Sequence, residues 1–352
     1  MNPLTPSPFR GSRRAGQHRS HRSLRGLTLV ELMVAIVLGL LILGGVIAVF
    51  LSNREAFRTT EQLARVQENA RTAFELMARS IREAGGSPCG RNLPTANVLN
   101  NTATTWWAQW GEGLRGYGGS DEFPVKGFGT GHAERVPGTE AIVILYGDSN
   151  SAVPVVSHNP TSAEFKVGSI AHGVKDGDVL LVCDYKQAAI FQATNSNSSN
   201  VTIVHNTGNA RSPGNCTKGL GLPVVCSAVG TQYEFQGGQL MKLAAEAWYI
   251  GNFTRADGRT GRSLFRARLD SAATVQVEEI VEGVEDMEVA FLSSSGTTLA
   301  TDYVPPAGVI DWNSVVSVRL TLTFQGSERV GTDGQALRRQ SIHVIGLRNR
   351  LS

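Results

Sequence analysis

Charged side chains are sparse in this 352-residue chain, only 18% of the total, and the first 26 residues contain no Asp, Glu or Lys. Those 26 residues do hold six arginines: Arg10, Arg13, Arg14, Arg19, Arg22 and Arg25. Subtracting these six charges from the formal +3 leaves −3 over residues 27–352. The basicity is therefore a property of the leader, and the remainder has no general attraction for nucleic acid. A basic arm directly before an apolar segment sets membrane orientation instead. Cysteine is also scarce. The four cysteines (Cys89, Cys183, Cys216 and Cys226) make no CxxC or CxxH spacing, which argues against a zinc site. An even, small set fits two disulfides in an oxidising compartment. Cys216–Cys226 closes a short loop and Cys89–Cys183 a long one, but all three connectivities stay open at this stage.

Catalytic signatures are missing as well. There is no HExxH, no GxSxG elbow and no GxxxxGK[ST] phosphate loop. The histidines His18, His21, His132, His158, His172, His205 and His343 are scattered without metal-ligand spacing. Asp176-Gly177-Asp178 lacks the remainder of a calcium loop and is expected to be a turn before a strand. No enzyme activity, cofactor or metal is expected. Trp106, Trp107 and Trp110 fall in a stretch, residues 90–140, that has no clear pattern. They are expected in the core or against a neighbouring subunit rather than on a ligand.

What is present is one long apolar run. From Leu27 to Leu51 the chain reads LTLVELMVAIVLGLLILGGVIAVFL, with Glu31 its single charge. As a helix this spans roughly 37 Å, enough to cross a bilayer core of about 30 Å with tilt. A secretory signal peptide would be shorter and end at a small-residue cleavage site. Here the helix pattern continues instead. Leu63, Val66, Ala70, Ala73, Met77, Ile81 and Ala84 are spaced three or four apart and form one apolar stripe. Phe74 widens the stripe, and Gly85-Gly86 offers a stop. The prediction is one helix of about 58 residues, apolar all round in its first half and one-faced in its second.

Residues 87–352 carry short strand-like runs between Gly-, Ser- and Asn-rich loops such as 195–200 and 206–221. The runs include 140–147, 178–183, 188–194, 200–205, 246–252, 263–269, 286–292 and 315–324. In the last, Val318, Leu320, Leu322 and Phe324 make one apolar face. The fold class is α+β: a long N-terminal helix packed on an antiparallel β-rich domain. The expected organisation is a leader at 1–26, a membrane-spanning helical half at 27–52, an amphipathic half at 53–86 and a globular domain at 87–352.

Arg25-Gly26-Leu27-Thr28-Leu29-Val30-Glu31-Leu32 resembles the type III signal of type IV prepilins. These have a basic leader ending in Gly, an apolar first mature residue and Glu at the fifth position. The resemblance implies that a prepilin peptidase cuts between Gly26 and Leu27, and that the new Leu27 amine is methylated. Glu31 then sets subunit register by pairing with a neighbour's amine, which offsets the cost of a carboxylate among hydrocarbon. Two departures favour a minor pilin or pseudopilin over a bulk subunit: Leu rather than Phe begins the mature chain, and no Pro lies between Leu27 and Pro88. The runs AWYIGN, GRSLFRARL, EEIVEGVEDMEV, DWNSVVSVRLTLTF and GLRNR are similar to PilW-type minor pilins, as is VLLVCDYKQAAIFQAT.

That resemblance implies a pilin-like globular domain and a role in initiating type IV pilus assembly, in a tip or priming complex. Other minor pilins, the major pilin, the inner-membrane assembly platform and the prepilin peptidase would be the partners. The inner membrane is met through residues 27–52, with the N-terminus cytoplasmic and the globular domain periplasmic. A J-type pseudopilin of a type II secretion system and a membrane-tethered adhesin are the alternatives. The length of the chain favours the pilus.

Overall fold

The structure is a computed structural model describing residues 28–350, apart from Asn92, Glu112, Ser198, Thr297 and Thr332. The chain divides into two compact units, Met1–Phe57 and Arg58–Ser352. The boundary falls within a single helix, Leu29–Glu83.

In the first unit the described residues, Thr28 to Phe57, are all exposed. The side chains from Leu29 to Leu51 are almost entirely aliphatic, so nothing in this segment buries them. Each large apolar side chain left in water forgoes about 1.5–3 kcal/mol. Leu29–Glu83 is also the one helix among the described residues long and apolar enough to cross a membrane.

The second unit is a helical segment against two sheets. From Arg58 on, the helix buries Gln62, Val66, Ala73, Met77, Ala78, Ser80 and Ile81. This is the expected stripe, with two polar residues added. Gln62 Oε1 accepts from the Ser327 N–H and Oγ, both at 3.3 Å. Ser80 Oγ donates to Glu246 Oε2 at 2.7 Å. Glu246 also accepts from Tyr146 Oη and from Trp248 Nε1, each at 3.2 Å. These polar bonds pin the helix to the sheet and satisfy the Ser80, Tyr146 and Trp248 donors at the contact.

The larger sheet is organised on one long strand, Gln239–Thr254. Its C-terminal part pairs antiparallel with Ala141–Gly147 on one side and Thr260–Leu269 on the other. Leu114–Tyr117 and Val275–Glu282 extend these flanks. Its N-terminal part pairs with Val179–Cys183, which leads to Ala188–Gln192 and Thr95–Asn97. Val153–Asn159, Glu164–Val167 and Thr202–Val204 form a further branch. The ladders are antiparallel except for Thr95–Asn97 on Ala188–Gln192, which is parallel.

The smaller sheet has the order Thr298–Leu299, Val284–Ser295, Val315–Gln325, Arg338–Gly346. The face bearing Val318, Leu320, Leu322 and Phe324 is buried against the helix stripe together with Met287, Val289 and Phe291. A second core on the other side of the larger sheet takes in Trp106, Trp107, Leu181, Ile190 and Tyr249. The tryptophans at 106 and 107 are thus core residues, and Trp110 is partly buried against the same cluster.

Candidate functional site

The chemistry-bearing element begins at Thr28. Its Oγ accepts from the Glu31 N–H at 3.2 Å. The Glu31 carboxylate accepts in return from the Thr28 N–H at 3.0 Å and from the Thr28 hydroxyl at 3.1 Å. This reciprocal pair is a capping box, with Thr28 as N-cap and Glu31 in the first turn. It satisfies two of the amide donors that any helix start leaves open. The acid, expected to need a partner from outside its segment, has a local one in Thr28. The Thr-x-x-Glu spacing of residues 28–31 is the signal that identifies it. Around it every neighbour from Leu29 to Leu38 is aliphatic, Met or Ala, and exposed. Gly26 and Leu27, the proposed scissile pair, lie outside the described residues, as do the leader arginines, His18 and His21.

The cysteines are bonded as Cys89–Cys183 and Cys216–Cys226, with Cα separations of 5.8 and 4.9 Å. The first ties the turn after the helix to the end of strand Val179–Cys183 across 94 residues. The second closes a ten-residue loop. Just ahead of it, Asn215 is fully buried; its side chain accepts from the Gln192 N–H at 2.7 Å and donates to the Gln192 carbonyl at 2.8 Å. A side-chain amide there completes the ladder that the irregular 206–221 segment does not supply.

Other titratable groups serve the fold. Asp178 is buried and paired with Lys242 Nζ at 2.9 Å, next to Gly177 at φ +83°. The Asp176-Gly177-Asp178 run is the turn expected of it. Arg135 is fully buried. Its guanidinium donates to the carbonyls of Asp121 at 2.9 Å, Gly118 at 2.7 Å and Thr139 at 2.5 Å. It also lies against the rings of Phe123 and Phe128. Burial lowers its pKa to about 10. This one side chain organises much of the 118–139 loop, which periodicity left unplaced. His158 and His205 meet Nε2 to Nε2 at 3.1 Å in a third interior cluster, packed against Phe165, Phe191 and Phe235. His343 stacks on Phe74 with ring centroids 3.7 Å apart. Among the described residues, no group of three or more His, Cys, Asp or Glu could hold a metal ion.

Residues 22–47 match the family model of the prokaryotic N-terminal methylation motif. Residues 247–349 match that of type IV pilus-assembly protein W. The second match starts within strand Gln239–Thr254 and runs through the smaller sheet, the part that covers the helix stripe. No curated protein matches the chain. A methylation motif leading into an exposed apolar helix, with a β-rich domain behind it, defines a prepilin-like protein with a type III signal sequence. Within that class the C-terminal match is to the PilW type of type IV pilus-assembly protein, over residues 247–349.

Proposed function

We propose that this chain is cut between Gly26 and Leu27, methylated on the Leu27 amine, and used to initiate assembly of a type IV pilus in a tip or priming complex. The observation that carries this reading is the contrast along one helix. Residues 29–57 expose every side chain, while residues 58–83 bury a stripe. The first segment therefore needs lipid or other helices, which the membrane and then a filament core would supply in turn. The leader arginines hold the N-terminus in the cytoplasm, which places the disulfide-bonded globular unit in the periplasm. The role is structural rather than catalytic. Partners are other minor pilins, the major pilin, the assembly platform and the peptidase.

Glu31 is the residue to test. In the free subunit its carboxylate is held by Thr28. In a filament the same carboxylate meets the methylated amine of a neighbour, where low dielectric strengthens the attraction. Cells lacking the chain should lose at least about nine-tenths of their surface pili, a defect of more than 1.4 kcal/mol in assembly. Wild type should restore them and Glu31→Ala should not, with equal amounts of both in the membrane. Normal piliation without the chain would refute the priming role.

A further inference from the structure

The smaller sheet ends on Arg338–Gly346, a nine-residue strand that pairs on one side only, with Val315–Gln325. The Leu337 carbonyl accepts from the Gly326 N–H, and the Leu347 N–H donates to the Val316 carbonyl. Antiparallel pairing alternates, so the odd-numbered residues between them face the ladder. The N–H and C=O groups of Arg338, Gln340, Ile342 and Val344 consequently point outward, and they have no partner among the described residues.

Folded proteins normally blunt such an edge with a bulge, a proline or a cover, because it templates another strand. Among the described residues this one has no bulge, proline or cover, and its charges, Arg338 and Arg339, sit together at one end. Ile342 and Val344 are 58% and 61% exposed on the sheet face away from the helix. His343 and Ile345 take the helix side.

Charge separates this edge from the other long one. On Val275–Glu282, Glu278 and Glu279 are bonded to Arg266, Arg268 and Arg255 of the same chain. That edge is electrostatically complete. Arg338 and Arg339 are exposed, and neither has a carboxylate partner among the described residues. Antiparallel pairing of two copies about Ile342 would set Arg338 against Gly346 and leave its charge unanswered.

We infer that Arg338–Gly346 is a docking edge for an extended segment of a partner subunit. That segment adds as a strand, with apolar side chains beside Ile342 and Val344 and Asp or Glu opposite Arg338 and Arg339. The inference names a contact for the assembly role proposed above, but its grounds are the backbone and charge of this edge alone.

The test uses the full-length chain in its own membrane, with a photoreactive benzoylphenylalanine at position 344 and, as a control, at the exposed Tyr185. Position 344 should give one adduct, mapped by mass spectrometry to a strand-forming segment with an acid within a few residues. The control should not give it. Gln340→Pro removes an outward N–H that bonds nothing among the described residues. It should leave thermal unfolding nearly unchanged and cut the adduct about fivefold. Arg338→Glu with Arg339→Glu should cut it by at least as much, and serves if the proline variant fails to fold. An adduct only with a second copy of this chain, no adduct at all, or full yield in the variants would overturn the inference. An acidic strand from a subunit that is not a pilin would uphold the edge and remove the pilus reading.

Discussion

Two buried imidazoles that meet through their Nε2 atoms make the globular unit sensitive to acid. The Phe235 N–H donates to His158 Nδ1 at 3.2 Å, so the His158 proton resides on Nε2 and is given to His205 Nε2. Burial pushes His158 from its ordinary 6.5 down to about 4, and holds His205 well below its ordinary value. A histidine depressed in the folded state is protonated first in the unfolded one. The stabilisation is therefore full above about pH 6.5 and is lost as the pH falls toward 4, by about 1.4 kcal/mol per pH unit for each ring. Urea unfolding at pH 7 and pH 4.5 should show stability lower at pH 4.5 by several kcal/mol. A flat profile would contradict the neutral pair. Arg135 gives a second expectation. Arg135→Ala leaves three carbonyls without their donor and empties the space between two rings, so it should cost about 3 kcal/mol or more in the same measurement. Neither feature was legible in the sequence. His158 and His205 are 47 positions apart, and the acceptors of Arg135 are main-chain carbonyls. A pattern of residue types records neither kind of contact. Thr28, by contrast, could be found from the spacing of Thr and Glu.

At the scale of elements, the helix stripe was plain in the sequence from its three- and four-residue spacing, and the strands at 140–147, 178–183 and 315–324 from their aliphatic runs. Ala141–Gly147 and Val179–Cys183 are buried throughout, and 315–324 buries Val318, Leu320, Leu322 and Phe324 while leaving Arg319 exposed. Gln62 and Ser80 interrupt the stripe because their partners lie far along the chain, Ser327 in the loop after strand Val315–Gln325 and Glu246 in strand Gln239–Thr254. Strands Val275–Glu282 and Arg338–Gly346 escaped for a related reason. Each is an edge with a solvated side, so charge replaces alternation. Met77 is fully buried at the centre of the stripe. Met77→Ala should cost about 2–5 kcal/mol by urea unfolding, whereas the half-exposed Leu76→Ala should cost less than half as much. The two disulfides should differ in weight. Removing Cys89–Cys183, which closes 94 residues, should cost about 4–5 kcal/mol, and removing Cys216–Cys226 about 2–3 kcal/mol. Chemical unfolding of the paired Cys→Ala variants checks the order, and a larger loss from the short loop would contradict it.

At the scale of the whole molecule, the chain combines a β-rich unit that satisfies its own core with a helical segment that satisfies almost nothing. The first is stable in water because the stripe from Gln62 to Ile81 has a sheet to cover it. The second is stable only where water is absent. The one acid within its apolar run, Glu31, is tolerable there because a hydroxyl and an amide already hold it, and more so if a neighbour's amine takes their place. The proposed pairing depends on removal of the leader, since a Leu27 amine would exist only once the bond after Gly26 is broken. The decisive measurement is intact-mass and N-terminal sequencing of the protein recovered from membranes and from sheared filaments. The account predicts a chain beginning at Leu27 and carrying one methyl group on its amine. A chain that still begins at Met1, with its six leader arginines in place in both fractions, would contradict it.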